Sequence, residues 1–309
     1  MKVLVTGGAG YIGSTLVPEL LKEGHEVCVY DSLLFGGNSM LPHFRNPKFS
    51  FVEGDIRDVG LLRESVDEAD VVIHLAAIVG YPACEKDHNV TKAVNLDATK
   101  ALVQMVKGSD KVILFGSTGS NYGRVDGVCN EETPLNPLSL YGTTKTEAEQ
   151  YMMDNCNAVA YRFATAFGLA PRLRLDLLVN DFTNKAINDK YIVVYESHYM
   201  RTFIHVHDIA RSFMFALNNL DKMVGNVYNV GSDNMNFSKR EVCEKINEVT
   251  PYFLHLADIG SDADQRDYVV SYDKISSLGF STTIGLGEGI KELSEGIRVI
   301  KNDSPYSNV

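Results

Sequence analysis

The sequence predicts an α/β protein built on a doubly wound parallel sheet (a Rossmann arrangement), with a second, smaller α/β region. Three observations predict this fold. Short, continuously apolar runs recur through the first half of the 309-residue chain, as in strands that are buried on both faces. Segments with apolar residues at helical spacing separate these runs. A glycine-rich turn joins the first apolar run to the first helical segment.

The first half alternates strands and helices from its beginning. "KVLVTG" (2–7) predicts a strand ending at a glycine, and 11–24 predicts a helix that closes at Gly24. Further strands are expected at 26–31, 49–55, 70–77, 111–117 and 158–164, and further helices up to about 68, over 92–107 and over 140–154. Parallel strands joined through helices require right-handed crossovers.

After Gly168 the pattern becomes irregular. The segment 169–176 is basic and contains proline, and it is followed by a helical stretch, a short strand and the mixed stretch 201–217. "NVYNVGS" (226–232) predicts a strand that returns to the first sheet. We therefore expect a cofactor-binding domain over 1–168, with a return of about 201–232, and a substrate-binding domain over 169–309.

Composition excludes several functions. The net charge of −11 argues against binding to nucleic acid, which requires a basic surface. No apolar run reaches membrane-spanning length, and the start of the chain is expected to be a first strand and not a signal peptide. The five cysteines are scattered, with no C-x-x-C pair, which is typical of reduced thiols in a cytoplasm.

The glycine-rich turn "TGGAGYIG" contains Gly7, Gly10 and Gly13 between the first strand and the first helix. In this context Gly7 permits the tight turn, Gly10 allows close approach of a ligand to the backbone, and Gly13 allows close packing of the helix. The N–H groups of the helix N-terminus can then bind a pyrophosphate. An ordinary strand-to-helix turn is the alternative interpretation, and the flanking strand and helix argue against it.

Asp31 ends the second predicted strand, where a carboxylate can accept hydrogen bonds from the ribose hydroxyls of adenosine. It would repel a 2′-phosphate, and "DSLLFGG" supplies no nearby arginine, so NAD is favoured over NADP. Capping of the following turn is the alternative role for Asp31. Asp55 could reach the adenine or act only as a turn residue.

A second group of residues indicates oxidation of an alcohol. Tyr141 and Lys145 are four residues apart on a predicted helix and therefore share a face. The pKa of a tyrosine is about 10, so its action as a base requires a depression of roughly three units. Lys145 and the positive nicotinamide ring could together provide it. Thr118, in "FGSTGSNYG", could hydrogen-bond the same substrate oxygen.

In this order, "TGGAGYIG", "HLAA", "GST…YG" and "YGTTK" resemble the motifs of the extended short-chain dehydrogenase/reductase family of nucleotide-sugar enzymes. The resemblance extends over nearly the whole chain and implies NAD, a nucleotide-diphosphate sugar and a homodimer. Beyond the residues already named, it implies cofactor contacts from Tyr11, Ile12, Ile56, Leu75, Ala76, Ala77, Asn95 and Phe163. It implies substrate contacts from Thr118, Ser120, Thr165, Asn180, Arg201 and Arg266, with Thr165 standing where the family often has Asn.

Arg172 and Arg174 are left with two interpretations, a contribution to the substrate site or a solvated charge run. His205 and His207 are two residues apart on what we expect to be one strand. Because no third ligand accompanies them, no metal site is predicted.

Gly119 and Ser120 narrow the reaction. In the 4,6-dehydratases of the family, Asp and Glu follow the threonine and carry out the elimination of water, and neither residue here can replace them. What remains is hydride transfer at C4, with 4-epimerisation leading and a 4-dehydrogenase or 4-keto-sugar reductase as alternatives. "RLRLDLLVND" and "QRDYVVS" are similar to a subgroup that includes GDP-manno-heptose dehydrogenases and surface-sugar epimerases. A catalytically silent NAD-binding sensor or scaffold is the alternative from another class.

Overall fold

The computed structural model describes residues 1–257 and 267–300. The strands are β1 (Lys2–Thr6), β2 (Glu26–Asp31), β3 (Phe49–Glu53), β4 (Val71–His74), β5 (Val112–Thr118), β6 (Arg124–Cys129), β7 (Ala158–Phe163), β8 (Thr165–Phe167), β9 (Tyr191–Tyr195), β10 (Met200–His205), β11 (Asn226–Val230), β12 (Asn236–Ser238), β13 (Phe253–Ala257) and β14 (Asp267–Val270). The α-helices are α1 (Tyr11–Lys22), α2 (Val59–Glu68), α3 (Tyr81–Glu85), α4 (His88–Lys92), α5 (Ala98–Val106), α6 (Leu140–Asn155), α7 (Leu178–Asn188), α8 (Val206–Leu217), α9 (Leu220–Met223), α10 (Lys239–Val249), α11 (Asp273–Ser277) and α12 (Leu286–Ile297).

The central sheet confirms the predicted α/β fold. It has seven parallel strands in the order β11-β7-β5-β4-β1-β2-β3. The order reverses between β1 and β4, so a crevice opens there at the carboxyl ends of the strands, where doubly wound sheets bind ligands. The strand predicted at 226–232 is β11, and it pairs with β7 at the edge of this sheet.

Apolar strands without alternation are explained by burial on both faces of the sheet. Val3 and Val5 of β1 belong to a core cluster that includes residues of α1 and α8, whereas Leu4 belongs to the opposite cluster with residues of α2 and α5. Because both faces are covered, every position after Lys2 in β1 is buried. This rigid layer fixes the ends of β1, β4 and β5, which carry the site.

The remaining strands form three small sheets, in the orders β12-β10-β8, β13-β9 and β14-β6. A third core cluster contains residues of α7, α10 and α12. The prediction that His205 and His207 share a strand is wrong, because β10 ends at His205 and helix α8 begins at Val206. Their rings nevertheless stack, with centroids 5.5 Å apart.

In the described residues, no helix combines the length and the apolar character that a membrane crossing requires. The same residues contain no group of three or more His, Cys, Asp or Glu side chains that could hold a metal ion.

Candidate active site

A cavity of about 880 Å³ lies at the carboxyl ends of the central strands. It brings together residues that are far apart in the sequence: the glycine turn, the residues after β2 and β4, the end of β5 and the start of α6. The predicted site residues in its wall are Gly7, Gly10, Tyr11, Ile12, Gly13, Asp31, Asp55, Ile56, Leu75, Ala76, Ala77, Thr118, Ser120, Tyr141, Lys145, Phe163 and Thr165.

The glycine turn has the geometry of a dinucleotide-binding loop. Gly7 has φ +72°, a conformation that L side chains rarely adopt, and a Cβ there would lie 2.7 Å from the backbone nitrogen of Ala76. A Cβ on Gly13 would lie 2.5 Å from the Cα of Gly8, so α1 begins against the turn itself. Gly10 directly precedes the helix, whose first residues line the cavity. This cradle fits the pyrophosphate of NAD.

Asp31 closes the turn from the end of β2. Its carboxylate accepts hydrogen bonds from the backbone N–H groups of Ala9, at 3.0 Å, and Leu33, at 2.8 Å. Burial raises the pKa of Asp31, and these two bonds and the charge of Arg172 lower it. An arginine therefore lies near Asp31 after all, although it comes from a segment that the local sequence could not indicate. Asp55 pairs with Arg57 at 2.6 Å near the surface.

Helix α6 presents the tyrosine and the lysine in its first two turns. Ser139 caps the helix by accepting a hydrogen bond from the N–H of Gly142 at 3.1 Å, which fixes where the helix begins. Tyr141 and Lys145 both line the cavity. Thr118 ends β5, and its hydroxyl accepts a hydrogen bond from the N–H of Ser120 at 3.1 Å. The three side chains that sequence reasoning grouped together therefore face one cavity.

Lys145 is almost completely buried, with 3% of its surface exposed. Its Nζ lies 3.9 Å from the centre of the Phe115 ring. Burial lowers the pKa of Lys145 to about 7, and the charges of Glu149 and Cys84 act in the opposite direction. The ammonium group is therefore held next to the cavity at a cost in solvation. Burial, and next the charge of Lys145, lower the pKa of His74 to about 3.

Glu149 lies one helical turn beyond Lys145 and connects three parts of the site. Its carboxylate accepts hydrogen bonds from Arg162 of β7, at 2.6 Å, from Ser117, at 2.5 Å, and from Asn121, at 3.2 Å. Arg162 also donates to the hydroxyl of Tyr122 and to the carbonyl of Glu131. Ser117 and Asn121 flank Thr118, so Glu149 holds helix α6 against this segment.

Some predicted residues lie outside the cavity wall. Asn95 accepts a hydrogen bond from the N–H of Ile78 at 2.8 Å and donates to its carbonyl at 2.9 Å, so it positions the loop after β4. Asn180 is fully buried, bonds to the backbone of Gly168 and Arg174 and does not line the cavity, and its contact with the substrate stays a prediction.

Arg201 is 1% exposed and donates to the carbonyl of Met200 at 2.9 Å; it also does not line the cavity. Arg266 lies outside the described residues. The substrate contacts implied for these two arginines therefore stay predictions.

Sequence reasoning missed or undervalued three residues of the wall. Tyr268 of β14 lines the cavity beside Gly119, and sequence reasoning gave it no role although it lies two residues after Arg266 in the sequence. Arg172 and Arg174 also line the cavity and are 6% and 8% exposed, so the solvated charge run is wrong. The basic, proline-containing segment 169–176 was the available signal.

Fold and site together define an NAD-binding enzyme of the extended short-chain dehydrogenase/reductase type, with a Rossmann sheet and a tyrosine–lysine–threonine group facing the cofactor cavity. The model of the NAD dependent epimerase/dehydratase family matches residues 3–231. The chain belongs to this family, and its cofactor is NAD.

Several relatives resemble the chain over four fifths of its length or more. A UDP-glucose 4-epimerase from Lactobacillus helveticus is 30% identical, over 81% of this chain and 82% of the relative. A dTDP-glucose 4,6-dehydratase from Streptomyces niveus is 28% identical, over 96% of this chain and 93% of the relative. The crystal structure of UDP-glucuronic acid 4-epimerase from Bacillus cereus with UDP-glucuronic acid and NAD has a TM-score of 0.87 and 26% identity, covering 96% of this chain and 99% of that one.

Proposed function

We propose that this protein catalyses NAD-dependent oxidation and reduction at C4 of a nucleotide-diphosphate sugar, with 4-epimerisation as the net reaction. The observation that carries the proposal is the position of Thr118, Tyr141 and Lys145 in the wall of one cavity with the glycine turn. Relatives named as 4-epimerases support the choice of carbon.

Each side chain has a distinct role in the proposed reaction. Tyr141 takes the proton of the C4 hydroxyl and returns one to the C4 oxygen in the reverse direction. The ammonium of Lys145 favours the phenolate form of Tyr141 through its charge. Thr118 orients the C4 oxygen by a hydrogen bond. The bound NAD supplies the hydride acceptor for C4 and the hydride donor for the return step.

The environment of Gly119 argues against dehydration. A Cβ at this position would lie 3.2 Å from the carbonyl oxygen of Phe163 and 3.4 Å from the hydroxyl oxygen of Tyr268. A side chain at position 119 would therefore sit tightly against the carbonyl of Phe163, and glycine itself carries no carboxyl group that could act in an elimination. The adjacent Ser120 carries only a hydroxyl, which accepts a hydrogen bond from Thr118 at 3.1 Å. The proposal therefore excludes 4,6-dehydration, although dehydratases are among the relatives.

The residues proposed to bind the substrate come from several separate segments of the chain. Thr118, Ser120 and Thr165 line the cavity where the sugar would lie. Arg201 and Arg266 are proposed to bind the diphosphate of the substrate, because guanidinium groups pair well with phosphate oxygens. We also propose a homodimer in the cytoplasm, which sedimentation of the purified protein and fractionation of cells would test.

The test is incubation of the purified protein with NAD and a panel of UDP-, GDP-, CDP- and dTDP-sugars, followed by chromatography and NADH absorbance. A sugar inverted at C4 without net NADH supports the proposal. Accumulating NADH contradicts epimerisation and indicates a dehydrogenase, whereas turnover that requires NADPH indicates a reductase. Binding of NAD without turnover of any sugar indicates a silent sensor or scaffold.

Replacing Tyr141 with Phe tests the mechanism. We expect turnover to be abolished and NAD binding to be largely retained, because only the hydroxyl is removed. The matched control is Tyr191→Phe, because Tyr191 on β9 is 45% exposed, and this variant should keep full activity. Unchanged turnover in Tyr141→Phe would overturn the proposed role of the phenol.

A further inference from the structure

The wall of the cavity has a charge balance opposite to that of the whole chain. Its basic residues among those described are Arg57, Lys145, Arg172 and Arg174, and its acidic residues are Asp31 and Asp55. The chain as a whole carries a net charge of −11. Arg57 pairs with Asp55 at the surface, and Arg174 pairs with Asp176 just outside the wall, so the positive charge beyond these pairs is that of Arg172 and Lys145 beside Asp31. Such an excess is expected where an anion binds.

Arg172 and Arg174 belong to the segment between β8 and α7, and this segment is fixed to the first turns of α1. The backbone N–H of Arg172 donates to the hydroxyl of Ser14 at 3.1 Å. The hydroxyl of Tyr11 donates to the carbonyl of Gly168 at 2.8 Å. The two arginines are thereby held beside the helix N-terminus that receives a dinucleotide pyrophosphate.

The surroundings of Arg172 point to the cofactor, and Arg174 lies further along the same wall. Arg172 interacts electrostatically with Asp31 at the ribose end of the cavity, and its guanidinium carbon lies 4.3 Å from the centre of the Phe35 ring. Arg174 pairs with Asp176 at 2.5 Å, and its Nη2 would lie 3.6 Å from a Cβ placed on Gly80, another residue of the wall.

We propose that Arg172 and Arg174 bind the pyrophosphate of NAD, in addition to the backbone N–H groups of the glycine turn. Guanidinium groups suit this task because they donate several hydrogen bonds in a planar array to phosphate oxygens. The ring of Phe35 supports the guanidinium of Arg172 by stacking and joins the segment after β2 to the segment after β8. The cofactor would therefore be contacted from two segments that are distant in the sequence.

The proposal depends on the NAD cofactor of the family and not on the proposed epimerase reaction. The proposal is therefore tested by the affinity for NAD, which is measured without any sugar. A nucleotide-diphosphate sugar also contains a pyrophosphate, so the experiment has to distinguish the two ligands. The position beside Asp31 and Ser14 favours the cofactor, because the ribose of adenosine is expected at Asp31.

The test is isothermal titration of Arg172→Gln with NAD and, separately, with UDP and GDP. A charge-assisted contact to phosphate predicts that the Kd for NAD rises roughly tenfold to a hundredfold. The Kd of whichever nucleoside diphosphate binds the wild type should stay unchanged. The control Arg240→Gln changes a 60% exposed arginine of α10 and should leave all values unchanged.

An unchanged Kd for NAD overturns the proposal, and weaker binding of UDP or GDP in that case assigns Arg172 to the substrate instead. Thermal unfolding of the protein without ligand separates loss of fold from loss of affinity. A second variant, Phe35→Ala, keeps the charge and removes the stacked ring. It should increase the dissociation rate of NADH in a fluorescence chase by severalfold, and an unchanged rate would remove the role of the stacking.

Discussion

Lys145 should make the protein less stable at neutral pH, and the change Lys145→Met tests this directly. Burial lowers the pKa of Lys145 from 10.5 to about 7, which means that keeping the ammonium form in the folded protein costs free energy. Since one unit corresponds to about 1.4 kcal/mol, the penalty is at most about 4 kcal/mol at pH 7. Methionine fills a similar volume without a charge, so the variant should be more stable by up to this amount while losing turnover.

The sign of the pH dependence follows from the direction of the shift. Between pH 7 and 10.5 the unfolded chain binds a proton at Lys145 that the folded protein has largely released. The free energy of unfolding of the wild type therefore rises with pH in this window as far as Lys145 is concerned. The gain in the variant should accordingly shrink from about 4 kcal/mol at pH 7 to about 1 kcal/mol at pH 9.5.

The assay is urea unfolding of both proteins at pH 7 and pH 9.5. Lys22→Met is the matched control, because the side chain of Lys22 is 75% exposed on α1 and should show no such dependence. A variant that is less stable than the wild type at pH 7 would refute the reasoning. So would a difference in stability that does not change with pH, because it would mean that the ammonium is not desolvated.

Two further changes test the site. Glu149→Gln leaves the buried Arg162 without its carboxylate partner and should lower the free energy of unfolding by about 3 kcal/mol. The double change Glu149→Leu with Arg162→Met removes both charges and should recover most of this loss. A loss of less than about 1 kcal/mol for Glu149→Gln in urea unfolding would contradict this expectation. Asp31→Asn should weaken the binding of NAD and reduce the preference for NAD over NADP, because the repulsion of a 2′-phosphate is lost while Arg172 remains. An unchanged ratio of the Kd values for NAD and NADP would contradict this expectation.

The central sheet and the core of the site follow from local patterns. Gly7 needs a positive φ, and Ser139 caps the helix that carries Tyr141 and Lys145, so short stretches of sequence determine these geometries. That Thr118, Tyr141 and Lys145 line one cavity could be inferred because parallel strands and the helices that follow them meet at the same edge of the sheet.

Contacts between distant segments could not be predicted in this way. Arg172 reaches the neighbourhood of Asp31 only because the segment after β8 folds back onto α1, and Tyr268 reaches Gly119 only because β14 pairs with β6. No periodicity encodes such contacts, since they depend on the packing of whole elements. The bonds between the amide of Asn180 and the backbone of Gly168 are a further contact of this kind.

Helix α6 combines two opposite requirements within one turn. Lys145 must be desolvated for its charge to act strongly on a neighbouring phenol, because a low local dielectric strengthens electrostatic interactions. The same desolvation weakens the hold of Lys145 on its proton and disfavours the folded state. Glu149 counteracts both effects: its charge raises the pKa of Lys145, and its bonds to Ser117, Asn121 and Arg162 fix the helix against β5 and β7. A neutral residue at 149 would therefore impair the charge of the lysine and the position of the helix together.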